Sequence, residues 1–335
     1  MVCDVDGTAI EVEGLTKRYE SGVEALGRVS FSVSRGEVFA YLGRNGAGKS
    51  TTVRILTTLL RPTAGRADVG GFDVSEQPAA VRRVLGAALQ EAALDELMTG
   101  REHLLLAGRF VGLRKSEALA RAGELLEMFG LAAAGDRVTG TYSGGMRRRL
   151  DVAMALVRKP KVLFLDEPTT GLDPQGRRAL WSLIRDLRDE GSAIFLTTQY
   201  LAEADELADR VAVVHEGRIA ALDTADQSKA TLGVTRIRLQ VGAADHELIR
   251  DLLEGNPMSF DDDRWILVTV TGGEATVPSL VARLHGSGVP IARLRVLPPT
   301  LEDVFVNLTG TEIESGAGQT DAGALSALRR GLGRT

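Results

Sequence analysis

The chain reads as an α/β protein with a large first domain and a smaller second one, and three observations lead there. An apolar run, Glu37 to Leu42, enters a glycine loop and then a helical pattern from Thr52 onward. A second apolar run, Val162 to Leu165, ends in the carboxylates Asp166 and Glu167, and 335 residues is enough for about two domains that each bury a core. Short continuous apolar runs read as strands covered on both faces, as parallel strands are. Strand ends that carry glycines and carboxylates read as openings onto a ligand crevice.

Residues 1–8 form a leader that contains the single cysteine, Cys3, which has no second cysteine for a disulfide and no companions for a zinc site. Ile10 and Val12 then alternate with Glu11, the period of a half-buried strand, and Leu15 and Tyr19 lead into a turn closed by Gly22. Val29 to Val33 repeats the alternation, so an antiparallel patch precedes the buried strand Glu37 to Leu42. Tyr19 is open to two readings, a core aromatic or a ring that returns over the loop to stack on a purine.

Gly43, Arg44, Asn45, Gly46, Ala47, Gly48, Lys49, Ser50 and Thr51 fit the phosphate-loop pattern G-x-x-x-x-G-K-[ST] at every fixed position, with the strand before and the helix after that the pattern requires. Glycines let successive N–H groups turn inward around an anion, and the helix points its positive end at the same place. A nucleoside triphosphate site is therefore expected, with Lys49 on the β- and γ-phosphates and the Ser50 hydroxyl on Mg²⁺.

Arg61 to Gly65 is a turn, Gly70 to Val74 a short edge element, and the run from Val81 to Leu89 ends at Gln90, whose amide is either solvated or turned to a phosphate site as a Mg²⁺ ligand. Thr99 to Arg137 reads as a helical insertion, with apolar residues at helical spacing in Glu102 to Leu113 and Glu117 to Leu131. Ser143, Gly144 and Gly145 then open a helix that stops at Lys159-Pro160. Ser143 suits an N-cap, and the glycines leave the first N–H groups open, so this is a capped helix or a second anion-binding helix end.

Asp166 is expected to hold Mg²⁺ through its water shell, and Glu167 to polarise the attacking water or take its proton. Gly171 to Pro174 is a tight loop containing Asp173, Gly176 to Asp189 a helix, and Ser192 to Thr198 a strand that delivers Gln199. Arg210 to Val214 is expected to be the last strand of the domain. Beyond it, Thr235 to Val241, Trp265 to Val270 and Ile291 to Val296 read as strands, and His246 to Leu253 and Val277 to His285 as helices.

Bulk properties narrow the function. A net charge of -5 with 25% charged residues gives no basis for a general nucleic-acid binder, so no nucleic acid is expected as a partner. No apolar run approaches the roughly 18–20 residues of a membrane span, and acidic residues stand at the N-terminus where a secretory signal has basic ones; a cytosolic chain is expected.

Taken together and in this order, the phosphate loop, Gln90, Tyr142 to Met146, the Asp166-Glu167 strand, Asp173 and Gln199 resemble the nucleotide-binding subunit of ABC transporters, over roughly Ile10 to Asp223. The resemblance implies a P-loop NTPase domain with a mixed core sheet, an antiparallel β subdomain and a helical subdomain, followed by a small C-terminal α+β domain. It implies that Tyr19 stacks on adenine, that Gln90 links the Mg²⁺ site to a membrane partner, that Ser143 to Gly145 contact the γ-phosphate held by an opposite subunit, and that Asp173 works at the dimer seam. ATP and Mg²⁺ are the implied cofactors, and a homodimer and a separate permease the implied partners, at the cytoplasmic face of the membrane.

Two departures stand out. Tyr142 and Met146 occupy places where the commoner signature has Leu and Gln, and Gln199 replaces the usual His; Gln199 can donate to the γ-phosphate but cannot become cationic. Turnover that is modest and insensitive to pH between 6 and 8 is expected. With Thr197 to Leu201, these departures resemble the daunorubicin/doxorubicin resistance branch, and Pro298 to Phe305 resembles the acidic Val-Phe segment that closes such subunits. A soluble relative acting on ribosomes or in DNA repair is the alternative; such chains have paired nucleotide domains or long insertions, and neither is found here. The expected layout is a leader at 1–8, an ATP-binding domain at 9–225 with its helical subdomain at about 99–150, an accessory domain at 226–310 and a flexible tail at 311–335, where Leu325, Leu328 and Leu332 alternate with arginines as in a membrane-surface helix.

Overall fold

The computed structural model describes residues 7–90, 94–224, 227, 234–242, 245–253, 256, 258–261, 265–297, 300, 301, 304 and 305. The leader through Asp6, half of the closing acidic segment and the tail from residue 306 lie outside the described residues. The chain divides into two compact units, the first ending at Ala225 and the second beginning at Asp226.

In the first unit β1 (Thr8–Arg18) and β2 (Glu24–Ser34) pair antiparallel around the Tyr19 to Val23 turn, and β4 (Ala64–Val69) and β5 (Phe72–Asp73) extend that sheet in the order β2-β1-β4-β5. The larger sheet holds β3 (Val38–Gly43), β6 (Leu85–Ala88), β7 (Val162–Asp166), β8 (Ala193–Thr198), β9 (Arg210–His215) and β10 (Arg218–Asp223), in the order β10-β9-β3-β8-β7-β6. All its pairs are parallel except β9-β10. One expectation is corrected here: the domain's last strand is β10, not Arg210 to Val214, because the Glu216-Gly217 turn returns Ile219 against Val214. The apolar run Val81 to Leu89 divides between the end of α2 (Pro78–Val84) and β6.

Each central strand sends alternate side chains to opposite faces. Phe39, Tyr41, Phe164 and Phe195 face α1 (Lys49–Leu56) and the antiparallel sheet, and pack with Val53, Ile55, Leu56 and Phe31. Phe195 is the hub of the ring cluster, 5.5–5.8 Å from Phe31, Phe39, Tyr41 and Phe164. Leu163, Leu165, Ile194 and Leu196 face the other way, onto α5 (Gly144–Ala155) and α6 (Pro174–Asp189). The helical insertion is α3 (Gly100–Phe110), opened by a Thr99-Glu102 capping box, and α4 (Lys115–Met128); α7 (Leu201–Leu207) follows β8.

The second unit runs β11 (Val234–Gln240), α8 (His246–Leu252), β12 (Met258–Asp261), β13 (Trp265–Thr271), α9 (Val277–Gly286) and β14 (Arg293–Leu297), with the antiparallel order β12-β13-β11-β14. This β-α-β-β-α-β order is the ferredoxin-like arrangement. Its core joins Ile237, Leu239, Ile266 and Val268 to Ile249 and Leu284 of the helices. β12 escapes the sequence reading because four residues show too little alternation. Leu301, Val304 and Phe305 of the closing segment are buried.

Candidate active site

The register of the parallel strands assembles the candidate site. Thr197 pairs with Tyr41 on one side and Asp166 on the other, so the ends of β3, β8 and β7 lie side by side, with β6 next in line. The phosphate loop, Gln199, the Asp166-Glu167 pair and Gln90 therefore leave the sheet at one edge, the carboxyl edge where open α/β sheets bind ligands.

The loop itself is tight. Gly48 stands in the left-handed region at φ 98°, and a Cβ there would lie 2.6 Å from the carbonyl oxygen of Ala25, so only glycine serves. The Ala47 N–H donates to Arg44, and the Ala47 carbonyl accepts from Gly217 in the β9-β10 turn. Arg44, Asn45 and Gly46 are exposed, while Ser50 and Thr51 are half-buried at the start of α1.

Lys49 is 4% exposed, and its Nζ donates to the carbonyls of Gly43 at 2.8 Å and Arg44 at 3.2 Å. Its third partner is Glu167, with Nζ to Oε1 at 3.1 Å and Glu167 only 8% exposed. A buried ammonium and a buried carboxylate are each costly alone, and here each supplies the other's counter-charge. Glu167 reaches Lys49 from a strained backbone, φ 50°, which is uncommon for a residue with a side chain. Both flanks of the Asp166-Glu167 peptide are held. The Glu167 N–H donates to the carbonyl and the Oγ1 of Thr197, each at 3.1 Å, and the Asp166 carbonyl accepts from Arg148 Nη2 at 2.5 Å. Asp166 Oδ1 accepts from the Thr197 hydroxyl.

Arg148 and Thr197 are the residues that sequence reading passes over. Arg148 sits in a run of three arginines whose neighbours behave differently: Arg147 donates to Gly140 and Arg149 to Phe129 at the periphery, whereas Arg148 is buried. The available signal was helical spacing, since Arg148 precedes the buried Val152 by four residues and so lies on the inward stripe. Its guanidinium donates to the carbonyls of Leu89, Asp166 and Pro168 and to Asp151 Oδ2 at 2.9 Å. Burial pushes the Asp151 carboxyl up to about 6 despite Arg148 beside it, and lowers the Arg148 guanidinium from its ordinary value. Desolvation thus outweighs attraction in this pair.

Tyr19 is exposed and its hydroxyl lies 3.4 Å from Thr51 Oγ1, so the hairpin turn brings the ring to the mouth of the loop, with Lys17 Nζ 5.4 Å from the ring centroid. Gln90 is exposed and Gln199 half-buried; among the described residues neither side chain bonds to the loop. Ser143 caps α5 by accepting from the Met146 N–H at 3.3 Å, and Ser143 and Gly144 are exposed. Their helix packs on the sheet face opposite α1, so the two helix ends aimed at anions belong to different faces of one molecule. Asp173 caps α6 by accepting from the Gly176 N–H at 2.7 Å, and Leu172 beside it packs near Gly145. Asp173 thus has a structural task within its own chain, whatever it meets outside it.

Among the described residues there is no cluster of three or more His, Cys, Asp or Glu able to cage a metal. The site offers the Ser50 hydroxyl, Asp166 and the Gln90 amide, all hard oxygen donors on one sheet edge. That donor set fits Mg²⁺, which keeps much of its water and shares its sphere with substrate phosphates.

Comparison with known proteins places this geometry in context. The sequence model of the family described as ABC transporter matches residues 26–170. The daunorubicin resistance ATP-binding protein DrrA3 of Streptomyces coeruleorubidus is 47% identical over 91% of this chain and 97% of its own length. The doxorubicin resistance ATP-binding protein DrrA of Mycobacterium tuberculosis is 42% identical over 92% of this chain and 96% of its own. Among solved structures, the dimeric form of a bacterial ABC transporter cassette superposes with a TM-score of 0.60 at 26% identity, covering 64% of this chain and 98% of that one.

Proposed function

The chain belongs to the ATP-binding proteins of the ABC transporter family and is an ATPase, and from that premise we propose that it powers export of a hydrophobic, antibiotic-like compound through a separate membrane permease. The observation that carries the catalytic part is the buried Lys49-Glu167 pair across the ends of β3 and β7. In this structure Glu167 is the counter-ion of Lys49. An arriving triphosphate replaces it, because Lys49 turns to the β- and γ-phosphates and Glu167 is released to hold the attacking water in line and take its proton. Ser50, Asp166 and Gln90 would hold Mg²⁺, whose charge offsets that of the phosphates. Tyr19 stacks on the purine, and Gln199 donates to the γ-phosphate without a titration near neutral pH.

Ser143 to Gly145 complete the cage in trans. The exposure of Ser143 and Gly144, on a helix packed against the sheet face opposite the phosphate loop, supports a two-fold dimer in which Ser143 of the partner subunit caps each γ-phosphate. Hydrolysis then removes the contact that closes the dimer. Two features support a membrane partner. No helix among the described residues is long and apolar enough to cross a membrane, and the chain is similar along most of its length to proteins named as ATP-binding proteins of drug resistance. An apolar groove of about 350 Å³ lined by Leu85, Leu89, Ala107, Val111 and Met154 opens near Gln90, with Phe110 82% exposed on α3. The compound itself follows the resistance proteins to which the chain is similar.

The test is ATPase rate against protein concentration. A site completed by a second copy gives a rate that falls faster than linearly on dilution, with Ser143→Arg chains inactive alone. A strictly linear rate down to dilute monomer refutes the shared site.

A further inference from the structure

We propose that Arg148 is a positioning residue for hydrolysis: its planar guanidinium, anchored by Asp151, locks the Leu89 carbonyl that leads into Gln90 to the Asp166 and Pro168 carbonyls that flank Glu167. The inference rests on the roles proposed above for Gln90, Asp166 and Glu167. Those residues stand at the ends of two neighbouring strands, β6 and β7, and the strand pairing itself stops at Ala88 and Leu165. Past that point the ladder no longer fixes one chain against the other. Arg148 takes over, spanning both exits from α5 beneath them.

The chemistry of the side chain suits the task. A guanidinium holds its donors in a rigid fork, so acceptors bound to its three nitrogens are fixed relative to one another, and displacement of one is felt by the rest. Nε serves Pro168, Nη1 serves Leu89 and Asp151, and Nη2 serves Asp166. The Asp166 carbonyl belongs to the peptide whose N–H, that of Glu167, is bound by Thr197. The fork and Thr197 grip that peptide from both sides and hold Glu167 at φ 50°. A strained residue keeps such a conformation only where its surroundings over-determine it. Without the fork, the peptide is free to relax and to swing the Glu167 carboxylate from its line of attack, while the phosphate loop, built on the other face by Gly48 and α1, is untouched. Movement at Gln90, the expected link to the permease, reaches the carboxylates by the same fork.

A buried ion pair can be exchanged for apolar groups without loss of fold, which permits a clean test. The double variant Arg148→Met with Asp151→Leu is compared with wild type in the full chain, reading ATP affinity, kcat, KM and thermal midpoint, with Glu167→Gln as a reference. The expected result is an unchanged midpoint and ATP affinity within about threefold, with kcat down by about 10- to 100-fold, the scale of a small misplacement of a catalytic group. Arg148→Lys, which keeps charge and stem but has no fork, is expected to behave like the double variant. Wild-type kcat in the double variant, or recovery in Arg148→Lys, overturns the proposal. So does a kcat loss matched by equal losses of ATP affinity and stability. If Glu167→Gln itself hydrolyses at the wild-type rate, the assignment of Glu167 fails instead, and the two failures are told apart.

Discussion

Replacing Glu167 by Gln separates the counter-ion role that the structure shows for this side chain from the catalytic role proposed for it. Glu167 Oε1 lies 3.1 Å from Lys49 Nζ, with both groups more than nine-tenths buried. At that separation an effective dielectric of about 20 gives a gross attraction of roughly 5 kcal/mol. Removing the charge loses this but also removes the cost of burying a carboxylate, and the amide oxygen still accepts from Lys49, which keeps its carbonyl partners on Gly43 and Arg44. The net destabilisation should be about 2–3 kcal/mol, below the 3–5 kcal/mol seen when one partner of a buried pair is deleted outright. For a domain of this size that is about 4–12 °C in the thermal midpoint. ATP restores a negative partner to Lys49, so the midpoint of Glu167→Gln should rise more on adding nucleotide than that of wild type, while hydrolysis falls by about 10²–10⁴-fold. Thermal unfolding with and without ATP, alongside phosphate release, measures all three. A variant with the wild-type midpoint and the wild-type nucleotide shift would refute the counter-ion argument, and one that hydrolyses normally would remove Glu167 from the chemistry.

Two further outcomes are expected. Gly48→Ala places a methyl 2.6 Å from the Ala25 carbonyl and 2.8 Å from Leu26 Cδ2 at φ 98°; left-handed strain and overpacking together should cost about 2–5 kcal/mol and abolish nucleotide binding, which thermal unfolding and an ATP-binding titration check. The Asp151 carboxyl is raised to about 6 by burial, so the folded chain holds its proton more tightly than the unfolded one. Its contribution to stability is therefore present at acid pH and is lost as pH rises through about 6. Urea midpoints at pH 5.0 and 7.5 should drop less in Asp151→Asn than in wild type, and an equal drop would contradict the sign.

Much of the site was legible because local chemistry demands particular residues in a particular order. Gly43 to Thr51 needs glycines where the backbone turns left-handed and a lysine one residue after the last of them, and no tertiary information is required to see that. The unbroken apolar run from Val38 to Leu42 likewise announces a strand covered on both faces. What could not be read is which charged residue turns inward. Arg147, Arg148 and Arg149 are chemically identical, helical spacing from Val152 offers the one hint along the chain, and the packing of α5 against the sheet leaves two half-buried and buries one. Thr197 looks like any strand-end threonine until β8 is laid between β3 and β7.

The sequence by itself determines the α/β class, the phosphate loop, the strand-end carboxylates and the existence of a second α+β unit, because periodicity and turn chemistry are properties of neighbours along the chain. Tertiary structure alone decides that Glu167 is the counter-ion of Lys49 and that Arg148 joins the exits of β6 and β7. These are contacts between residues 18 to 118 positions apart, and electrostatic and hydrogen-bond energies depend on distance in space, which sequence separation does not record.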